Sequence, residues 1–215
     1  MELLNSRARR DANNAPPNSS TLSTRNSGAI ANTIARYGDA DRFLLTFNPS
    51  NQPRFCATEN IARCIKGDAP SLGVVAQTYG QHVATSWLTI QLQDLGEFAG
   101  VAEKMSVQKA YACAEVIASQ FGFLKVSELM LFFMHCKAGR YGHFYGAVDP
   151  MRITEALHDF LRWRAGEISR IEAEQERAEG ERAALEHRST AVSWEEFAAS
   201  RGITDENPLK MLTNG

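Results

Sequence analysis

Lys137, Arg140, Tyr141, His143, Phe144 and Tyr145 crowd into one short segment, KAGRYGHFYGAVDP, running from Lys137 to Pro150. Cations interleaved with aromatic rings suit an unpaired nucleic-acid strand: rings stack on bases, and ammonium or guanidinium groups neutralise phosphates. Gly139, Gly142 and Gly146 allow sharp turns and close approach of the backbone to a ligand. A second reading stands beside this one. The same rings can plug a helical core while the glycines only make turns. The two are compatible if Phe144 packs inward while Lys137, Arg140 and Tyr141 face solvent. The candidates for binding nucleic acid or a protein partner are therefore Lys137, Arg140, Tyr141, His143 and Tyr145.

Other chemistries find less support. GRYG lacks the Lys-Ser/Thr ending of a phosphate-binding P-loop, and the glycine spacing fails the dinucleotide fingerprint. His135, Cys136, His143 and Asp149 are close in sequence, but there is no HExxH, no CxxC and no second ligand cluster. His135 lies on an apolar helical pattern, where a histidine is usually a satisfied core residue. His135 and Cys136 are helix neighbours and point apart, which does not make a nucleophile and its base. His82 and His158 fall on separate helical patterns with no carboxylate-rich partner nearby. No catalytic residue, metal, cofactor or small-molecule ligand is expected.

Composition sets the frame. The 215 residues suit one domain with flexible ends, or two small domains, and 44% apolar residues suffice for a core. The net charge of −2 confines any nucleic-acid contact to a local patch. Four cysteines at irregular spacing (Cys56, Cys64, Cys113, Cys136) fit a reducing cytosol, with Cys113 and Cys136 packing as small hydrophobes. MELLNSRARRDANN turns polar after two leucines, so no signal-peptide core is read there, and no apolar run reaches membrane-span length. A cytoplasmic protein without a membrane partner is expected.

The elements that must position the segment are mostly helical. Residues 1–36, rich in Asn, Ser, Ala, Pro and Arg, read as a disordered, slightly basic arm. FLLTF, Phe43 to Phe47, reads as a lone strand or a tucked extended piece. Thr58 is a candidate cap for a short helix carrying Ile61, Cys64 and Ile65 and stopping near Gly67. Ser71 opens a long helical pattern, weakened at Gly80 and ending near Gly96; Ser106 caps a second helix. Ser127 caps a third, SELMLFFMHCK, which is apolar nearly all round and should be buried. Asp149-Pro150 is a strong helix start after the loop. That helix turns polar from Arg164, with apolar residues too sparse for a coiled-coil seam, and is expected as a protruding single helix. Ser193 and Glu196 form a capping box for a last amphipathic helix. Its Trp194 and Phe197 are candidates for docking on their own domain or in a partner's groove.

Two stretches, SWLTIQLQDLGEF (Ser86 to Phe98) and KVSELMLFFMHCKAGRYGHFYGAVDPMRITEAL (Lys125 to Leu157), resemble an uncharacterised family of proteins carried by phages and mobile elements of gut bacteria. The resemblance covers roughly residues 71–164 and leaves both termini outside. It implies, by association, a replication or host-takeover accessory, and the layout is similar to that of phage helicase loaders. It carries over no catalytic residue.

The resulting expectation is a mainly α fold: a small helical bundle over residues 40–165 with a Gly-aromatic loop or hairpin. A disordered arm (1–36), a charged helix (166–190) and a tail with a short amphipathic helix (191–215) flank it. The expected function is a non-enzymatic replication accessory or nucleic-acid-associated adaptor, with single-stranded DNA or a replisome protein as partner. The competing expectation is a structural or host-interaction protein, such as an inhibitor acting through the C-terminal helix.

Overall fold

Helix caps explain most of the element boundaries in the computed structural model, which describes residues 19–56, 61–144, 146–190 and 194–201. In chain order the α-helices are α1 Ser19–Tyr37, α2 Ala40–Thr46, α3 Gln52–Cys56, α4 Ile61–Lys66, α5 Leu72–Tyr79, α6 Gln81–Ala99, α7 Val107–Gln120, α8 Val126–Lys137, α9 Pro150–Thr190 and α10 Trp194–Arg201; a 3-10 turn, Pro49–Asn51, precedes α3. Among the described residues there is no strand, only two isolated bridges. The mainly α fold expected from the sequence is the one observed. No helix among the described residues is long and apolar enough to cross a membrane. The chain divides into two units, residues 1–167 and 168–215.

Ser71 accepts a hydrogen bond from Val74 N–H and Ser106 one from Lys109 N–H, so both predicted caps operate. Gly80 does more than weaken its pattern: it separates α5 from α6. Helix α6 runs past Gly96 and stops at Gly100, a left-handed C-cap. Asp149 accepts from Met151 N–H at the start of α9. The expected cap at Ser127 is corrected by two residues. Lys125 is the N-cap of α8, its N–H donating to the Glu128 carboxylate, while Ser127 Oγ donates to the Cys64 carbonyl instead. Thr58 and Ser193 lie outside the described residues.

Two further expectations are corrected. FLLTF is neither strand nor extended segment but most of α2 and its C-cap, nucleated by Asp39, which accepts from Arg42 N–H. Phe43 and Phe47, four residues apart, then fall on one buried face. The arm read as disordered over 1–36 is helical from Ser19; residues 1–18 lie outside the described residues. The reason is tertiary. Thr33 is buried, the Tyr37 ring packs 5.2 Å from Phe47, and Tyr79 Oη donates to the Gly38 carbonyl.

Helix α8 occupies the middle of the core, as its all-round apolarity predicts. Val126, Leu129, Met130, Leu131, Phe132 and Phe133 are all buried. They pack in one cluster with Trp87, Leu88, Leu92 and Leu95 of α6, Ile117 of α7, and Ile153, Leu157 and Phe160 of α9. Two polar devices fix this core. The Phe47 carbonyl accepts from both Trp87 Nε1 and Gln91 Nε2, at 2.8 and 2.9 Å. The Glu128 carboxylate has no solvent exposure, and its Oε1 accepts from Arg164 Nε of α9 at 2.5 Å. In the second unit Ile171 and Ala198 are buried, and Arg170 pairs with Glu174 one turn along the polar stretch.

Removing one partner of a buried ion pair strands the other charge, so Arg164→Ala should lower unfolding stability by about 3 kcal/mol. Urea denaturation checks this. Adding Glu128→Gln to Arg164→Ala should recover part of the loss, because the uncompensated charge is gone.

Candidate functional site

The Gly-aromatic segment begins where α8 ends. After Lys137 the chain reverses through tight turns: Arg140 N–H donates to the His135 carbonyl and Gly142 N–H to the Gly139 carbonyl. Gly139, Gly142 and Gly146 have φ of +72°, +87° and +76°, a region that side-chain-bearing residues rarely occupy. Reversal lays Tyr141 back over α8, its ring stacked 5.7 Å from Phe132. Glu103 N–H donates to the Gly146 carbonyl and ties the far side of the loop to the α6–α7 connection.

The structure separates the five loop candidates. Lys137 is not presented to a ligand: its ammonium lies 2.5 Å from Asp94 of α6, its side chain is 12% exposed, and it sits over the Phe98 ring. Tyr141 is half-buried against the core. The expectation that both face solvent is thus corrected; an ion pair and a ring stack hold them in. Phe144 packs against the core as expected. Arg140 and His143 are exposed, and Tyr145 lies outside the described residues. Of the C-terminal pair, Phe197 is exposed, with the Arg201 guanidinium 5.6 Å from its ring centre, while the Trp194 side chain is not among the described ones.

Two residues that the sequence reading did not assign to the site complete it. The Arg140 guanidinium lies 4.8 Å from the centre of the half-buried Trp163 ring of α9, a cation–π arrangement. His135 packs edge-on to the same ring at 4.7 Å. Its Nε2 is 3.4 Å from Arg140 Nη1 and its Nδ1 is 3.2 Å from Tyr141 Oη. A guanidinium can only donate, so Nε2 accepts and the single ring proton sits on Nδ1, donating to Tyr141 Oη. Burial, reinforced by the Arg140 charge and opposed by Glu167, lowers the His135 pKa to about 4. The histidine is therefore neutral at physiological pH. Burial likewise raises the Tyr141 pKa. The only local signal for this set was the Phe160/Trp163 spacing of one helical turn, which reads equally well as plain core.

The first residue of the family match lies at the end of the α6–α7 connection. The model of a Family of unknown function (DUF6633) matches residues 104–207. No curated protein and no solved structure matches the chain. The matched range takes in α7, α8, the loop, α9 and α10, hence Arg140, Tyr141, His135 and Trp163 together. It reaches further than the resemblance drawn from sequence at the C-terminal side, taking in all of the charged helix over 166–190, and it leaves out residues 71–103.

Cys64, Cys113 and Cys136 are buried free thiols whose pKa values burial raises to about 11, 11 and 12, so they stay protonated. Among the described residues no group of three or more His, Cys, Asp or Glu is placed to hold a metal ion.

The His135 arrangement makes stability depend on pH. The unfolded histidine takes a proton near pH 6.5, the folded one near pH 4. Its contribution should be intact above 6.5 and lost progressively as pH falls toward 4. Urea midpoints measured between pH 7 and pH 4 should drop more steeply for the parent chain than for His135→Gln.

Proposed function

We propose that the protein is a non-enzymatic, nucleic-acid-associated adaptor, a replication accessory of a phage or mobile element in the manner of a helicase loader. The observation that carries this reading is the Arg140 guanidinium lying over the Trp163 ring, 4.8 Å from its centre. A cation over an aromatic face, with exposed His143 on the same loop, offers charge for phosphates and a ring edge for bases. Because His135 is neutral and accepts from Arg140, it orients the guanidinium without adding a second charge. Tyr141 acts from beneath, bracing His135 rather than stacking on a base. The resemblance to proteins of mobile elements supports the replication setting, and the single-stranded DNA or replisome partner follows from it.

A second reading rests on exposed Phe197 in the C-terminal unit: a structural or host-interaction protein whose α10 fills a partner's groove. Deleting residues 190–215 tests it, since that reading requires loss of partner binding with nucleic-acid affinity unchanged.

The test of the main reading is fluorescence anisotropy of a labelled single-stranded DNA across a salt series. Salt-sensitive binding is expected, weakened roughly three- to tenfold by Arg140→Ala and by Trp163→Leu. Lys137→Ala should act differently, lowering stability through Asp94 with little direct effect on affinity. No binding at low salt, or full affinity in Arg140→Ala with the fold intact, would overturn it.

A further inference from the structure

Phe98, in the last turn of α6, is 63% exposed. It belongs neither to the core nor to the side chains packed against it, although Ala99 and Val101 beside it do. The Lys137 ammonium lies over its ring, 5.4 Å from the centre. A single exposed apolar residue carries no meaning by itself. This one, however, lines a pocket of about 260 Å³ between the ends of α6 and α8 and the aromatic loop. Leu95 and Cys136 give the pocket buried apolar lining, and the loop contributes His143 and Phe144. The charge in its wall is already engaged, since Lys137 pairs with Asp94. What the pocket offers a ligand is mainly carbon and ring surface. Its volume lies below the usual range for a whole small-molecule ligand and suits a single planar ring system.

Charge stands beside the pocket. Arg140, next to the lining residue Gly139, is exposed over Trp163. The Arg152 guanidinium of α9 comes within 3.9 Å of where a β-carbon would stand at Gly142, another lining residue. Arg152 pairs with Glu155 one turn along its own helix, but both side chains are more than half exposed and such a pair is weak. An apolar, ring-walled pocket with guanidinium groups at its border matches the two halves of a nucleotide in a strand: a planar base and a charged phosphate. A base inside a duplex is stacked and paired, so the base that enters must be unpaired.

We propose that this pocket takes one unpaired base of a single strand, stacked on Phe98 and bordered by His143 and Phe144, while Arg140 and Arg152 hold neighbouring phosphates. The inference rests on the loop reading proposed above and adds the surface that meets the base. Arg140 and Trp163 supply charge held over a ring, and the stacking platform comes from α6, which sequence places far from the loop.

Fluorescence anisotropy of the full chain at low salt tests this with two labelled probes of equal length: oligothymidylate, and an abasic strand with the same sugar-phosphate backbone. The parent should bind oligothymidylate more tightly than the abasic strand. Phe98→Ala should weaken oligothymidylate binding roughly five- to tenfold and leave the abasic strand unaffected. Phe98→Leu, which keeps apolar bulk and loses the ring, should show most of the same loss. Arg152→Ala should weaken both strands alike, as a phosphate contact does. Undiminished oligothymidylate affinity in Phe98→Ala would overturn the proposal, and so would an equal loss on both strands. If circular dichroism shows Phe98→Ala unfolded, Phe98→Leu decides on the same criteria. Binding that depends on Arg140 and not on Phe98 would sink this inference alone, whereas no binding of either strand would sink it together with the loop reading.

Discussion

A carboxylate with no access to water sits at the start of the central helix, and the arrangement around it depends on keeping that charge satisfied. Desolvating Glu128 is costly unless each oxygen has a partner. One oxygen accepts from the Lys125 N–H at the head of its own helix, the other from Arg164 of α9. Lys125 in turn reaches the last carbonyls of α4, where a cation also suits the helix dipole, and Ser127 donates to Cys64 of the same helix. This polar knot sets the position of α8 between α4 and α9. The apolar remainder of α8, greasy on all sides, has little directional preference of its own.

The aromatic loop and an arginine-lined cleft both border this helix. Its first turn supplies Ser127 to the arginine cleft, and its last turn supplies His135 and Lys137 to the aromatic loop. The Lys137–Asp94 pair anchors that last turn to α6 much as Arg164 anchors the first to α9. A loop with three positive-φ glycines would otherwise have many conformations; two anchors and the Tyr141 stack leave it few.

Thiols that could attack are buried and protonated, and the one histidine in the aromatic cluster is held neutral. Guanidinium groups are accessible in two places, at Arg140 over the Trp163 ring and along a cleft lined by Arg36, Arg54 and Arg63. Such groups hold anions by fixed geometry and do not themselves exchange protons at physiological pH.

Much of the fold was legible because its causes are local. The caps at Ser71, Ser106 and Asp149 and the burial of α8 each depend on residues within about one helical turn of each other, whereas the weak point read at Gly80 is a full break between α5 and α6. The helical state of residues 19–37 and of FLLTF was not legible, since it rests on Tyr37, Phe43, Phe47 and Tyr79 meeting across the fold. The candidate site divides in the same way. Sequence by itself determined that Arg140, Tyr141 and His143 share a turn-rich loop, because glycines and neighbours settle that. Only the tertiary structure decided that Lys137 is consumed by Asp94, that Arg140 rests on Trp163, and that Arg36, Arg54 and Arg63 line one cleft. These pairings join residues far apart in the chain, and their energy comes from desolvation and from geometry that no local pattern of residue types encodes.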